Sequence, residues 1–396
     1  MYPYSHVLKW DDTESVSNLV TSLLRTRTSL RLSENQLQHI GSDLLSAFVF
    51  SAVNNTVDLS IEPVVYISYY VGPTIGSTVF NDTVVLDIPK VSHMVSKKNL
   101  FILIVESSLE LPELPSSVNI ETTATNESND FLEIAENAFC RTVVEKCVAV
   151  GIGAIFCQRR IHPFLVKELN NRGIIAIPRV SIRFVSLIAR LSGALLLGEF
   201  GSFLQADISM IARCIGYLES IEWKLLDTKM FLFVSSGPNN RPQEEQYAFE
   251  TRKKAVSTLI ICAPADDIGV ELQLACQRSV KTLSHSLSNS KYLDGGGVWQ
   301  NYSACQLMSS YLKSGPMKKY SIVPPELLLQ HALAEYATLA GYDVSSDFSP
   351  TNSVAVIDCF PSNISALKTA VDCACCVLSI DGVVYAADTS EQLAHR

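Results

Sequence analysis

The chain has 396 residues, of which 47% are hydrophobic and 18% charged. That composition excludes the polar, highly charged chains that stay disordered and leaves material for more than one buried core. With 31 basic against 40 acidic residues the formal net charge is −9, which argues against a nucleic-acid backbone as the main partner.

The opening residues Met1 to Asp12 lack a basic segment followed by an apolar one, so they do not read as a secretory signal. Uncharged apolar stretches such as Cys147 to Cys157 fall short of the roughly 20 residues a bilayer crossing needs. Cysteines are scattered from Cys140 to Cys376 without paired C-x-x-C knuckles, which predicts reduced thiols in a cytosolic or nuclear setting.

In chain order, the apolar spacing predicts one helical segment from Asp12 to about Asn55, with its apolar face at Leu37, Ile40, Leu44, Leu45 and Phe48. From Pro63 to Val105 the texture turns to short β-rich runs, 64–71, 83–88 and 100–105, punctuated by Gly72-Pro73 and Gly76. A Pro-, Ser- and Thr-rich stretch at 106–130 reads as an exposed excursion. A helix from Phe131 to Val148 then leads into a strand at 153–157. A second helix opens behind Pro163 and closes at Gly173 before the strand 174–177, and a third covers Ile182 to Leu191 and closes at Gly193. Helix and strand alternating at this spacing is what a parallel βαβ sheet requires. Strand-like runs at 223–234 and 256–262 follow, then a long helix from about Asp267 to Leu287 and a mostly helical remainder ending in 364–378.

The chemistry-bearing motifs are sparse. Gly295-Gly296-Gly297 could bring backbone amides close to a phosphate or an adenosine, although by itself it reads as a turn between helices. Gly72-Pro-Thr-Ile-Gly and Gly151-Ile-Gly lack the Lys-Ser/Thr ending or third glycine of phosphate loops and read as turns. Cys373, Cys375 and Cys376 lie in an apolar helical run and read as buried packing thiols rather than a metal site. His162 reads as structural, and no catalytic motif of the G-x-S-x-G or H-E-x-x-H kind is present.

The order of helical flank, α/β module, long helix, triple glycine and helical remainder resembles group II chaperonins of the TCP-1/cpn60 family. The runs Ala154 to Pro163, Gly173 to Val180 and Ile188 to Ala194 look like that family's apical-domain core. The segment from Val71 to Asp87 resembles its apical entry, and Asp381 in Ser379-Ile-Asp-Gly resembles its last equatorial strand. Cys157-Gln-x-x-Ile-His-Pro163, Ile174-Ile-Ala-Ile177 and Leu274-Ala-Cys-Gln are similar to the McKusick-Kaufman/Bardet-Biedl chaperonin-like branch of the family.

This resemblance implies α/β plus all-α architecture, with an apical-like α/β domain inserted between helical intermediate segments and followed by the C-terminal helical half of an equatorial domain. Its expected limits are 1–62 and 264–293 for the intermediate pieces, 63–263 for the apical domain with a protrusion at 106–130, and 294–396 for the equatorial part. The resemblance also implies a vestigial nucleotide site at Gly295, Gly296, Gly297 and Asp358, and a partner-binding surface on the helix 181–191 through Arg183, Phe184, Leu187 and Arg190, with Ile182, Val185, Ile188 and Ala189 turned inward.

Against the family pattern, the Gly-Pro-x-Gly phosphate loop and Gly-Asp-Gly-Thr-Thr motif would fall before this sequence starts. Arg278 stands where the catalytic Asp is expected, Gln300 where an acid is frequent, and Cys359 follows Asp358 in place of Pro. The implied function is therefore a chaperonin-like folding and assembly factor without ATPase activity. Its implied partners are other chaperonin-like proteins, cytosolic chaperonin subunits and ciliary coat subunits, in the cytoplasm and at the centrosome or basal body. No cofactor is expected, ATP being the one the resemblance suggests; no metal, nucleic acid or membrane span is expected. The helices at 298–312, 325–340 and 364–378 would expose apolar surface. Two alternatives stay open: an ATP-hydrolysing chaperonin subunit represented by a shorter chain, and a stand-alone α/β small-molecule enzyme with its ligand at the carboxyl ends of the central strands.

Overall fold

The structure is a computed structural model that describes residues 5–55, 63–88, 95–110, 128–198, 208–227, 229–237, 252–313, 325–339 and 356–380. Most of the expected excursion 106–130 and Asp381 lie outside these residues. The chain divides into two units, Met1–Thr26 with Lys281–Arg396, and Arg27–Val280.

The larger unit starts at Arg27 and holds helix α2 (Glu34–Asn54), and helix α1 (Thr13–Arg25) belongs to the other unit. The first cut therefore falls inside the segment 1–62 that was expected as one helical piece. Its local cause is visible in the sequence: Ser33 and Gln36 form a capping box that starts α2 afresh, with Ser33 N donating to Gln36 Oε1 at 2.9 Å. Strands β2 (Val65–Val71), β3 (Gly76–Asn81) and β11 (Ser257–Ala263) form a three-stranded sheet with β11 in the centre, parallel to β2 and antiparallel to β3.

A second sheet holds seven strands. β4 (Thr83–Leu86), β10 (Lys229–Ser235), β9 (Gly216–Leu226), β5 (Lys97–Val105), β6 (Ile152–Cys157) and β7 (Ile175–Ile177) lie side by side, and β8 (Leu196–Leu197) also pairs β5. The expected block 63–263 thus contains two sheets, and the expected strand 223–234 is a hairpin of β9 and β10 that turns at Asp227, which takes φ +49°.

The parallel part of the large sheet follows the expected alternation: α3 (Ser128–Val150), α4 (Pro163–Asn171) and α5 (Ile182–Ser192) connect β5, β6, β7 and β8, which pair parallel with one another. Period-two alternation sorts the core. Ile102, Ile104, Ala154 and Phe156 pack with α5 residues on one face, while Leu103, Val105, Ile155 and Cys157 pack with Val143 and Cys147 of α3 and Leu165 and Leu169 of α4 on the other. Gly193 ends α5 in the left-handed region at φ +72°, a conformation that disfavours a Cβ. Short helix α6 (Ile208–Cys214) precedes β9, and the long helix α7 (Asp266–Ser288) follows β11.

The smaller unit is a three-stranded sheet of β1 (His6–Val7), β12 (Lys291–Asp294) and β13 (Ile357–Cys359) with helices α8 (Val298–Lys313), α9 (Pro325–Leu339) and α10 (Phe360–Leu378). None of its strands was expected from the sequence. Leu293, Trp299, Ala304, Leu333 and Phe360 form its core. Helix α1 joins it through Ser22, whose hydroxyl accepts a hydrogen bond from Ile357 N at 3.1 Å.

Candidate functional site

The triple glycine is not a link between two helices. It follows β12 and runs directly into the first turn of α8. Gly296 takes φ +67° and Gly297 φ +95°, which disfavour side chains. Gly295 N donates to Val356 O at 2.9 Å. A Cβ on Gly295 would lie 2.8 Å from Val356 Cγ1 and 3.1 Å from Asp358 Oδ1, so the missing side chain is what lets the Asp358 carboxyl sit against the loop. The pairing of β12 with β13 places Leu293 opposite Asp358 and brings together loop and carboxylate, which are about 60 residues apart in sequence.

Burial pushes the Asp358 carboxyl above the ordinary carboxylate range, and the neighbouring Trp299 indole opposes this in part. Gln300 Oε1 is buried without a formed hydrogen bond, which costs free energy. Sequence reasoning paired the glycines with Asp358 but missed Trp299. Its indole in the first turn of α8 was the available signal. Among the described residues, no three His, Cys, Asp or Glu side chains come together as a metal site. Arg278 is exposed on α7.

The expected partner surface on α5 needs correction. Phe184 is only 8% exposed, and its ring meets Tyr66 edge-to-face at 5.4 Å. It belongs to the sheet core along with Val185, Ile188 and Leu191, and Leu187 packs partly against the same core. Ile182, expected inward, is instead 63% exposed. The outward side of α5 is therefore Ile182, Arg183 and Ser186, with Leu187, Ala189 and Arg190 half-buried at its borders. The physical reason is phase. Phe184, Val185, Ile188 and Leu191 form the buried stripe at helical spacing, and Ile182, Arg183 and Ser186 form the exposed one. The sheet took the more apolar stripe.

The cysteines near the end of α10 are also displaced from expectation. Cys373, Cys375 and Cys376 are free and exposed, not buried packing thiols. Apolar side chains are exposed in the same unit, with Leu339 at 82% and Leu378 at 84%, in line with the exposed helical surface expected there. His162, read as structural, stands directly before α4 as its N-cap residue, without a side-chain capping bond.

The TCP-1/cpn60 chaperonin family profile matches residues 5–323. The chain belongs to the TCP-1/cpn60 chaperonin family. It is 23% identical over 340 residues to thermosome subunit alpha of Archaeoglobus fulgidus, covering 80% of this chain and 58% of that protein. To the molecular chaperone MKKS it is 22% identical in Mus musculus, covering 74% of this chain and 48% of that one, and 21% in Homo sapiens, covering 75% and 49%. It thus spans between about half and two thirds of the length of these relatives. Among solved structures, the open-state monomer of a group II chaperonin from Methanococcoides burtonii aligns with TM-score 0.57 at 16% identity, over 95% of this chain and 88% of that one. An open-state group III chaperonin aligns with TM-score 0.64 at 15% identity, over 96% and 74%. At these identities the structures establish the chaperonin fold, with its mixed sheets and helices. Among the described residues, no helix is long and apolar enough to cross a membrane.

Proposed function

We propose that this chaperonin-family chain is a folding and assembly factor that does not hydrolyse ATP, and that it assists assembly of the ciliary Bardet-Biedl coat complex with related chaperonin-like proteins and cytosolic chaperonin subunits. The observation that carries the loss of ATPase activity is Arg278: a cation stands on α7 where the family resemblance places the catalytic carboxylate. A guanidinium stays protonated at neutral pH and cannot act as a general base toward water. The ciliary role and a centrosomal location rest on similarity to the molecular chaperone MKKS and on the motifs around Cys157 and Ile174. In this reading Gly295, Gly296, Gly297 and Asp358 are the remnant of a nucleoside site, and partner contacts come from Ile182, Arg183 and Arg190 with the edge of Leu187; Phe184 supports that helix from beneath.

A second reading is favoured by the length comparison: because the chain spans less than two thirds of the thermosome subunits it matches, it would be part of an ATP-dependent chaperonin subunit. Phosphate release from ATP by the purified chain separates the two. The first reading expects turnover no higher than in a buffer control, unchanged in Asp358→Asn. Turnover above that control, lost in Asp358→Asn, would establish the second.

A further inference from the structure

The parallel strands of the large sheet carry a feature that the chaperonin reading leaves unused. Read across the sheet, they run β7, β6, β5, β8, while the chain visits them in the order β5, β6, β7, β8. Two steps go one way from β5, and the third returns past the start to its other side. The helices obey the same break: α3 and α4, which make the first two connections, pack with Leu103, Val105 and Ile155 on one face, whereas α5, which makes the third, packs with Ile102, Ile104 and Phe156 on the other. β5 and β8 are thus adjacent parallel strands at the point where the strand order reverses. Open α/β sheets form their ligand crevices at the carboxyl ends of the strands at this point.

A polar cavity of about 340 Å³ lies at that location, lined by Glu106, Ser107, Ser108, Gln158, Arg159 and Gly198. Glu106 to Ser108 directly follow β5, Gln158 and Arg159 follow β6, and Gly198 follows β8. Backbone bonds fix this rim: Glu106 N donates to Leu197 O at 2.9 Å, Gln158 N to Val105 O at 2.9 Å, and Arg179 N to Arg159 O at 2.9 Å. Arg179 holds the strained φ of +57°. The Cys157 thiol donates to Ser107 O at 3.3 Å, and burial pushes it up to about 11, so it acts as a neutral brace. Among the described residues, neither the Glu106 carboxylate nor the Arg159 guanidinium is paired, with each other or with another side chain.

An acid and a base that line one crevice without neutralising each other suit a ligand that carries both charges. We infer that the crevice between β5 and β8 binds a small zwitterion of the α-amino-acid type, its carboxylate on Arg159 and its ammonium on Glu106, with Ser108 and Gln158 reading the remaining polar atoms. This assignment stands apart from the nucleoside-like wall at Gly295 and does not depend on the absence of ATPase activity.

Isothermal titration of the purified full chain with glycine, L-alanine, L-glutamine and L-arginine tests it, followed by the N-acetyl and carboxamide forms of the tightest binder. The expected result is a Kd of about 1 mM or tighter for at least one free amino acid, weakened at least about tenfold by acetylation and by amidation on the unaltered chain. Arg159→Gln and Glu106→Gln, checked for fold by circular dichroism, should each give a similar loss. The assignment is overturned if none of the four binds at about 10 mM, if both blocked forms bind as well as the free amino acid, or if inorganic phosphate alone binds as tightly.

Discussion

Asn55 and Ala255 exchange two hydrogen bonds across 200 residues of chain: Ala255 N donates to Asn55 Oδ1 at 2.9 Å, and Asn55 Nδ2 donates to Ala255 O at 3.0 Å. Ser51, one turn earlier on α2, accepts from Val64 N at 2.8 Å and donates to Ala255 O at 3.3 Å. The end of one helix thereby holds together the chain entering the α/β module at β2 and the chain leaving it at β11, which is what keeps so long an insertion closed at its base.

Because Asn55 is buried, Asn55→Ala strands the Ala255 backbone N–H and should cost about 1–3 kcal/mol. Urea unfolding followed by circular dichroism measures this. A change below about 0.5 kcal/mol, the usual size of a surface substitution, would mean the junction is held elsewhere.

The two stripes of α5 make opposite predictions. Phe184→Ala should lower stability by about 3–5 kcal/mol through the cavity it leaves beside Tyr66 and Ile188. Ile182→Ser should change stability by less than about 0.5 kcal/mol, and with Arg183→Ala it should reduce capture of partner proteins. A stable Phe184→Ala variant together with a destabilised Ile182→Ser variant would reverse the assigned phase.

The carboxyl of Asp358 gives a pH signature. Its folded-state pKa is raised, mainly by burial, so the fold binds its proton more tightly than the unfolded chain does. This contribution is complete below the ordinary carboxylate pKa of about 4 and is lost as pH rises through the folded value. Asp358→Asn should therefore raise Tm at pH 7 and lose that gain near pH 4, which differential scanning calorimetry at the two pH values can read. An equal Tm difference at both would contradict a raised Asp358.

Thiol labelling separates the cysteines. Cys305, Cys373, Cys375 and Cys376 are exposed and should react with a maleimide in the native state. Burial pushes Cys147 and Cys276 up to about 12, so they should stay unlabelled until the chain is unfolded. Peptide mapping by mass spectrometry reads both groups at once; slow native labelling of Cys373 to Cys376 would place them in a contact.

The βαβ core was legible in the sequence because long helices of clear period alternate with apolar strands, and Gly173 and Gly193 mark the helix ends. The phase of α5 was not, since Ile182, Phe184, Val185, Leu187 and Ile188 supply apolar side chains on most of the helix surface. Strands β1, β12 and β13 have two to four residues each, and their pairing depends on partners far away in sequence, for which local pattern carries no signal. Asp358 was found through family resemblance; its contact with Gly295 comes from the register of β12 on β13. The cysteines of α10 looked like core because they lie in an apolar run, but that helix projects its last turns into solvent.

A tagged pull-down of this chain from ciliated cells, with and without apyrase and read by mass spectrometry, tests the central claim most directly. The account predicts recovery of cytosolic chaperonin subunits and ciliary coat components, unchanged by nucleotide removal and reduced by Ile182→Ser with Arg183→Ala. Recovery that disappears with apyrase, or none of these partners at all, would contradict it.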